Sequence, residues 1–320
     1  MGLKKVDWRM FQSGMPTNDY MFQKTPYEEQ VNQAVRMIEE ADAVLIGAGS
    51  GLSAAAGLQY SGSRFTDNFS EFIEKYGSEY MQDMYSAGFY PFSTEEEKWG
   101  YWSKHSYMNR IEPEGLPLYD KIYKMVREKD HFVLTTNVDH QFWKAGFADE
   151  NIFATQGDYG LIQCERGCHK KTYDAIPLFN KMNQVRKYCR IPTYMVPRCP
   201  VCGGTMAMNL RCDQYFVEDE HWQEAANRYG NFIGEHSSRK VVLLELGVGF
   251  NTPTIIRFPF EKMMGQYRKW NLIRINLNEA IVPQSFGDRA VGINQDIERS
   301  VTDVADMIKK QEETGDAEVQ

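Results

Sequence analysis

Residues 43–57 read AVLIGAGSGLSAAAG, and this stretch decides the fold. Ala43 to Ile46 form a short apolar run typical of a strand buried on both faces. The glycines and small side chains that follow predict a tight turn and the start of a helix near Ser53. Because GSGLSA at residues 49–54 matches GxGxxA after a strand, two interpretations stay open. The turn approaches a phosphate group, or it only packs closely against its neighbours.

Further strands and helices alternate along the rest of the chain. HFVLT, IFATQG, VVLLELGVG, LIRIN and RAVGI predict buried strands, with amphipathic helices between most of them. This alternation predicts an α/β fold: a Rossmann-like parallel sheet with helices on both faces. The polar loops GSGLS, TNVDH, QGDYG, GVGFNTP and NLNE each follow a strand. Ligands of such sheets bind beyond the carboxyl ends of the strands, so the loops predict one shared site.

The domain organisation follows from changes in composition along the chain. We predict a discontinuous Rossmann-like domain made of residues 1–57, 116–157 and 215–310. An aromatic-rich segment without clear strands, residues 58–115, predicts a helical and loop insertion. Residues 158–214 carry all six cysteines and predict a small zinc-binding module, and the polar residues 311–320 predict a flexible tail.

Charge and hydropathy narrow the possible partners. The formal net charge is −8, which repels phosphate backbones and anionic membranes, so nucleic acid is not expected as a partner. No apolar run reaches the roughly 20 residues that cross a bilayer, and no secretory signal is evident at the start. We therefore expect a cytoplasmic protein without a membrane association.

Four cysteines have the spacing of a metal site. Cys164-x3-Cys168 and Cys199-x2-Cys202 form two pairs in a compartment that keeps thiols reduced. Four thiolates complete a tetrahedral Zn²⁺ shell without an open position, so we expect structural zinc and no zinc chemistry. Cys189 and Cys212 fall outside the pattern and are expected to be buried structural thiols. His169, beside Cys168, is expected to be a surface histidine rather than a substitute ligand.

The order of these motifs resembles the sirtuin family of NAD-dependent enzymes. The similarity runs from about Ala43 to Ile308 and includes the glycine-rich turn, TTNVD at 135–139, Gln156-Gly157, the two cysteine pairs, GVG at 247–249 and INLNE at 275–279. Gln156 stands where sirtuins carry a catalytic histidine, and YSGSRF at 60–65 follows the first loop. Both features are similar to the macrodomain-linked class of sirtuins.

That resemblance implies an NAD-dependent protein ADP-ribosyltransferase. The acceptor that it implies is a lipoylated H-like carrier protein, with a macrodomain ADP-ribosyl hydrolase and a lipoate ligase as further partners. Asn137, Gln156 and Asp139 would be catalytic by orienting the nicotinamide ribose and carboxamide. The cofactor-binding set that it implies is Gly49, Ser50, Gly51, Ser53, Gly57, Arg64, Phe65, Asn137, Asp139, Gln156, Gly247, Val248, Gly249, Asn251, Asn276, Asn278, Asp296 and Ile297.

Alternatives remain for individual residues and for the function. Asp296 is equally an N-cap, Asn276 a turn residue, Arg64 a surface cation and Phe65 a core side chain. An amide cannot take up a proton, so Gln156 disfavours lysine deacylation unless His140 serves as the base instead. A lysine deacylase and a non-catalytic sensor of NAD or ADP-ribose are therefore the competing functions.

Overall fold

The computed structural model describes residues 19–250 and 253–318, so the predicted site residue Asn251 lies outside the described part. The strands are β1 (Tyr20–Met21), β2 (Ala43–Ala48), β3 (Asp130–Thr135), β4 (Ile152–Ala154), β5 (Gly157–Cys164), β6 (Thr172–Asp174), β7 (Met206–Leu210), β8 (Val241–Leu246), β9 (Trp270–Ile275), β10 (Val282–Pro283) and β11 (Ala290–Ile293). The helices are α1 (Tyr27–Glu39), α2 (Ser50–Ala55), α3 (Ser63–Asn68), α4 (Ser70–Tyr76), α5 (Met84–Gly88), α6 (Glu95–Ser106), α7 (Pro117–Val126), α8 (Gln141–Lys144), α9 (Ile176–Val185), α10 (Glu220–Glu235), α11 (Arg257–Gln266) and α12 (Ile297–Glu318).

Six parallel strands form the central sheet, in the order β11-β9-β8-β2-β3-β4. Side chains of β2 alternate between two cores: Val44 and Ile46 pack with helices α1, α7 and α12, whereas Leu45 packs with α10 and α11. Both faces are buried, and each fully buried aliphatic side chain contributes about 1.5–3 kcal/mol to stability. The predicted Rossmann-like sheet with helices on both faces is confirmed.

The cysteine-bearing segment has a sheet of its own. Strands β5, β6 and β7 pair antiparallel in the order β6-β5-β7, and helix α9 packs beside them. Its side chains share one hydrophobic core with the insertion, in which Phe69, Trp99 and Tyr101 contact the same cluster as Phe179 and Met206. The predicted domain boundaries stay a prediction, but the insertion and the cysteine module are packed together rather than as two independent cores.

Two features of the described chain bear on the remaining sequence predictions. Helix α12 continues to Glu318, so residues 311–318, for which the sequence predicted a flexible tail, are helical. A short antiparallel pair of β1 and β10 lies beside the parallel sheet. In the part that the structure describes, none of the helices combines the length and the apolar character that crossing a bilayer requires.

Candidate active site

Glycine residues bring the loops after β2 and β8 into backbone contact. The amide of Gly51 donates to the carbonyl oxygen of Gly247 at 3.0 Å. A Cβ on Gly49 would lie 2.7 Å from that oxygen, and a Cβ on Gly247, whose φ is +62°, would lie 2.3 Å from the amide nitrogen of Leu52. Close packing, one of the two interpretations of the glycine-rich turn, is therefore what the structure shows. A contact with phosphate stays a prediction.

Gly57 has a different role, because it ends helix α2. Its φ is +102°, a value that favours glycine, and the amide of Leu58 donates to the carbonyl of Ser53 at 2.9 Å. This pattern satisfies a carbonyl group at the end of the helix. A Cβ on Gly57 would meet nothing within 4 Å, so the backbone conformation, rather than space for a ligand, accounts for the glycine.

A buried hydrogen-bond network joins three of the chain's loops and helices. Ser53 Oγ donates to Asp139 Oδ2 at 2.5 Å and lies 3.2 Å from the hydroxyl of Tyr119. Asn137 Nδ2 donates to the carbonyl of Gly49 at 3.0 Å and lies 3.4 Å from the same Tyr119 hydroxyl. Tyr119 was not among the predicted site residues; it lies on α7 beside the apolar stripe that predicted that helix. Its position inside the network became visible only in the fold.

A cavity of about 480 Å³ opens beside this network. Among the predicted site residues, Ser50, Gly51, Ser53, Asn137 and Gln156 line it. Asp139 is 2% exposed, does not reach the cavity and contacts it only through Ser53. The cavity therefore gathers side chains from the first, second and third predicted loops, as expected for the carboxyl edge of a parallel sheet.

Gln156 faces this cavity with an amide that cannot titrate. Its Nε2 donates to Thr155 Oγ1 at 3.2 Å, and its backbone carbonyl accepts from the amide of Arg211 at 3.0 Å. The next residue, Gly157, has φ +95°, and a Cβ there would lie 1.8 Å from the carbonyl oxygen of Asn209. The register of Gln156 is thus set by a glycine that no other residue can replace without moving β7.

His140, the alternative base, lines a different cavity from Gln156. Its Nδ1 is 2.7 Å from Asp158 Oδ2, and its ring stacks on Trp143 with ring centroids 4.2 Å apart. It does not line the cavity of Asn137 and Gln156. Asp158 also accepts from Arg110 Nε at 2.8 Å. The structure therefore gives no support to His140 as the base for chemistry at that cavity.

Arg64 and Phe65 of the YSGSRF segment point into the insertion. Arg64 Nη1 donates to Asn109 Oδ1 at 2.8 Å and Nη2 donates to the carbonyl of Met108 at 2.9 Å. Phe65 is 1% exposed in the core shared with the cysteine module. Phe65 is therefore a core side chain, one of the two possibilities that the sequence left open. Neither Arg64 nor Phe65 lines the cavity.

A second group of predicted residues meets at the far half of the same sheet edge, outside the cavity. Asn276 Nδ2 donates to the carbonyl of Val248 at 3.2 Å, and its Oδ1 accepts from the amide of Asn278 at 3.1 Å. Glu279 Oε2 accepts from the amide of Phe250 at 2.9 Å. Asn276 is thus the turn residue that the sequence allowed, and it joins the loops after β8 and β9.

Asp296 and Ile297 lie where the last helix starts. Asp296 Oδ1 accepts from the amide of Arg299 at 2.9 Å, which is the hydrogen bond of an N-cap. Ile297 is 4% exposed and packs in the core beneath α1 and α7. The alternative of an N-cap for Asp296 is what the structure shows, and the contacts of both residues with an adenine ring stay a prediction.

Buried charged side chains hold the loops after β8 and β9, and these side chains were not among the predicted site residues. Arg257, with no exposed surface, donates to the carbonyl oxygens of Val248, Glu279 and Ile281 at 3.1, 2.7 and 3.2 Å. Arg274, beside it, pairs with Glu245 at 2.6 Å. The sequence could have indicated such residues, because a charged residue interrupts an otherwise apolar run in VVLLEL and in LIRIN. Buried charges are rare unless they are paired, so these two positions predict an ion pair.

The four predicted metal ligands come together in space. The ligand atoms of Cys164, Cys168, Cys199 and Cys202 all lie within 4.8 Å of one another. The Sγ separations of 3.8 Å for Cys164 and Cys202 and 3.6 Å for Cys168 and Cys199 match the edge of about 3.8 Å in a tetrahedron with Zn–S bonds of about 2.3 Å. The set fits Zn²⁺, and four thiolates leave no position for a substrate.

The other candidate ligands stay outside the tetrahedron. Cys189 is buried as predicted, and its Sγ donates to the carbonyl of Glu71 at 3.2 Å. Cys212 also lies outside the cluster, but it is exposed, so the prediction of a buried thiol is wrong there. His169 Nδ1 is 3.0 Å from Cys168 Sγ, while its Nε2 is 2.8 Å from the hydroxyl of Tyr173. His169 therefore contacts a ligand instead of replacing one.

Solved structures identify the class of fold. A Sir2 homologue in complex with NAD superposes with a TM-score of 0.58 at 14% identity, covering 92% of this chain and 99% of that chain. A mutant Sir2 homologue in complex with ADP-ribose gives a TM-score of 0.57 at 15% identity, covering 87% of this chain and 96% of that chain. The fold is that of the sirtuins, as the order of the motifs predicted.

Sequence relatives identify the family within that class. No protein-family model matches the chain. A protein ADP-ribosyltransferase of Staphylococcus aureus (strain Mu50) is 34% identical over 283 residues, 88% of this chain and 88% of that protein. A probable bifunctional ADP-ribose hydrolase/ADP-ribosyltransferase of Fusarium oxysporum f. sp. cubense is 31% identical over 298 residues, 87% of this chain and 48% of that protein. The chain therefore belongs to the sirtuin-like protein ADP-ribosyltransferases.

Proposed function

We propose that this chain transfers ADP-ribose from NAD to a lipoylated H-like carrier protein and releases nicotinamide. One observation carries the choice of reaction: among the described residues, no Asp, Glu, His or Lys side chain lines the cavity around Asn137 and Gln156. Three tyrosines line it, and burial raises the pKa of Tyr60, Tyr85 and Tyr159 above the ordinary value of 10.0. The cavity thus lacks a base that works near neutral pH.

Transfer and deacylation make different demands on the cavity. In the transfer, the bond between the nicotinamide nitrogen and the ribose breaks, nicotinamide leaves, and a nucleophile of the acceptor bonds to the same carbon and loses its proton to solvent. Oxocarbenium character in this step requires positioning and charge stabilisation more than a strong base. Deacylation needs in addition a base that activates a ribose hydroxyl, and an amide such as Gln156 cannot supply it.

The proposed roles follow from the side chains in place. Asn137 is held by Gly49 and Tyr119 through its Nδ2, which leaves its Oδ1 without a partner among the described residues and able to accept from the carboxamide or ribose of NAD. Gln156 would hold a ribose hydroxyl. The loops that carry Gly247 to Gly249 and Asn276 would hold the adenosine half, with Arg257 fixing their carbonyl groups.

The acceptor is the finer part of the proposal, and it rests on the resemblance of the YSGSRF segment and Gln156 to the macrodomain-linked class. Apolar side chains of Leu58, Tyr60 and Leu210 line the same cavity and are suited to pack against the aliphatic arm of a lipoyl group. A lipoate ligase that supplies this arm and a macrodomain hydrolase that removes ADP-ribose are the partners that the proposal requires.

Intact-mass measurement of the carrier tests the proposal. With NAD, we expect one ADP-ribose adduct on the lipoylated carrier and much less on the unlipoylated carrier. Asn137→Ala and Gln156→Ala should suppress the adduct, whereas the matched surface change Gln266→Ala should not, because that side chain is exposed at the end of α11.

Parallel assays with acetylated peptides and of nicotinamide release distinguish the alternative functions. Removal of acetyl groups from peptides at rates typical of enzymes, roughly 1 per second or more, would establish a deacylase. NAD binding without release of nicotinamide would establish a sensor. Equal modification of both carrier forms would retain the transferase and reject the lipoylated acceptor.

A further inference from the structure

A second cavity, of about 390 Å³, lies behind the wall formed by residues 156–157. Gln156 lines the first cavity and Gly157 lines the second, so this short segment separates two cavities that have no lining residue in common. Strand β4, helix α8 and the start of α10 enclose the second cavity on the side of the parallel sheet, and β5 and α9 enclose it on the side of the cysteine module. Its volume is that of a site for a small organic molecule.

The inner wall of the second cavity presents acceptor atoms that the protein does not use. Asn209 is 3% exposed, and its Nδ2 donates to Gln163 Oε1 at 2.7 Å and to the carbonyl of Val217 at 3.2 Å. Both partners of Nδ2 are acceptors, which fixes the orientation of the amide. Asn209 Oδ1 is therefore an acceptor without a partner among the described residues, on a side chain that the fold holds in place, and a ligand in the cavity can donate to it.

His140 presents a second unpartnered atom to the cavity. Its Nδ1 lies 2.7 Å from Asp158 Oδ2, and its Nε2, which accepts a hydrogen bond when the imidazole is neutral, has no partner in the described part of the chain. Arg110 compensates the charge of Asp158 at 2.8 Å. The backbone of His140 has φ +65°, a left-handed conformation that a residue with a side chain rarely adopts, and the contacts with Asp158 and Trp143 hold it there.

The remaining wall is aromatic, and the rim is acidic. Phe153 and Trp222 meet edge to face with ring centroids 4.9 Å apart, and Trp143 completes this surface. Three further carboxyl groups line the cavity, those of Asp149, Asp174 and Asp219. One oxygen of Asp174 accepts from the amide of Ile176 at 2.9 Å, which leaves the other available. Arg110 and His221 also line the cavity, but Arg110 is paired with Asp158 and His221 lies beside Asp149. The aromatic faces, the free oxygen of Asp174 and the unpartnered Asn209 Oδ1 therefore favour a cation that carries hydrogen-bond donors.

We propose that this cavity binds a small organic ammonium ion, with its charged group near Asp174 and His140 and an apolar body against Trp143, Phe153 and Trp222. A metal ion fits less well, since the cysteine cluster is the only group of three or more potential metal-ligating side chains found in the described residues. The proposal goes beyond ADP-ribose transfer and does not depend on it, because none of these groups lines the cavity of Asn137.

Three probes of one shape but different charge test the proposal: benzylammonium, benzyl alcohol and benzoate. The readout is the indole N–H resonances of Trp143 and Trp222 in the full chain, assigned with Trp143→Phe. We expect saturable shifts with benzylammonium at a Kd of roughly 1 mM, as for other small fragments, and no saturation with benzoate. Equal binding of the three probes, or no shift with any of them, would overturn the proposal.

Two variants locate the bound cation. Asp174→Asn keeps the oxygen that accepts from Ile176 and removes the charge, so the Kd for benzylammonium should rise about threefold or more. Asp213→Asn is the matched control, because Asp213 makes the same local hydrogen bond to Tyr215 and does not line the cavity. His140→Asn tolerates the left-handed backbone and should weaken binding as well. Equal affinity in Asp174→Asn and Asp213→Asn would place the cation elsewhere and reject this site.

Discussion

Ser53 donates its hydroxyl hydrogen to Asp139 at 2.5 Å and thereby ties the start of helix α2 to the loop after β3. The other carboxylate oxygen of Asp139 accepts from the amide of Gln141 at 3.1 Å. Asp139 has almost no exposed surface and does not line the cavity, so it reaches the cavity through Ser53, while its contact with the nicotinamide ribose stays a prediction. The aspartate of the TTNVD segment is in this structure a positioning residue for the glycine-rich turn.

This burial gives Asp139 a pH signature. Burial raises the pKa of Asp139, and the hydrogen bonds from Ser53 and Gln141 offset only part of that rise. Because the folded state binds the proton more tightly than the unfolded chain, the contribution of Asp139 to stability is full below the ordinary pKa of 3.8 and is lost as pH rises through the raised pKa. We expect the free energy of unfolding of the wild type minus that of Asp139→Asn, from urea titrations, to fall as pH increases. A constant or rising difference contradicts this expectation.

Asp158 should show the opposite dependence. Burial alone would raise its pKa, but the hydrogen bond from His140 and the charge of Arg110 lower it overall. Its contribution to stability is therefore present above the ordinary pKa of 3.8 and lost as pH falls through the lowered value. We expect Asp158→Asn to destabilise the protein by about 2 kcal/mol at neutral pH, and the loss to shrink in acid. Urea titrations at several pH values measure it, with Asp139→Asn as the internal comparison.

Tyr119 tests whether the buried network serves catalysis or only folding. Tyr119→Phe removes the hydroxyl that lies between Ser53 and Asn137, and the ring should stay in place against Phe142. We expect a loss of about 1 kcal/mol in stability and roughly a tenfold decrease in kcat for nicotinamide release, with little change in KM for NAD. Tyr123→Phe on the same helix is the control. An unchanged kcat would show that Asn137 is held adequately by Gly49 alone.

Two effects should make Gly157 irreplaceable: its positive φ and the lack of space for a Cβ. Gly157→Ala places a Cβ 1.8 Å from a backbone oxygen of β7 at φ +95°, so we expect a destabilisation of about 3 kcal/mol or more. Gly287→Ala shares the positive φ, here +53° with ψ −136°, but its Cβ meets no atom within 4 Å, so we expect only the backbone cost of about 1–3 kcal/mol. Thermal unfolding compares the two variants. Similar losses would mean that strain and not the clash dominates at Gly157.

Zinc binding should stabilise the insertion as well as the cysteine module that holds the metal. Cys199→Ser removes one of four ligands, and we expect zinc content by elemental analysis to fall well below about one equivalent per chain. Cys212→Ser should retain the metal. Because the module shares its core with the insertion, hydrogen exchange should accelerate in α4 and α6 as well as in β5 to β7 of the Cys199 variant. Faster exchange in the module alone would show that the shared core is held without zinc.

The sequence alone predicted where the site lies, because the relevant signals are local. A buried strand can be predicted from its own run of apolar residues. In a parallel sheet the loops that follow the strands lie at one edge, so the position of the site follows from the strands. The two cysteine pairs were likewise readable, since thiolate ligands have a characteristic spacing. For these reasons the glycine-rich turn, the loops after the strands and the cysteine cluster could be predicted from the chain itself, whereas the roles of Asn137 and Gln156 were implied by the resemblance to the sirtuins.

Only the tertiary structure decided what each of these residues contacts. Tyr119 and Arg257 occupy helices whose periodicity says nothing about a hydrogen bond to Ser53 or to the carbonyls of Val248 and Glu279. The role of Asp139 behind Ser53, and of His140 beside a different cavity, depends on the packing of loops that are distant in the chain. A local pattern fixes the element and its register, whereas the direction of a buried polar group is set by the partners that folding brings within hydrogen-bond distance.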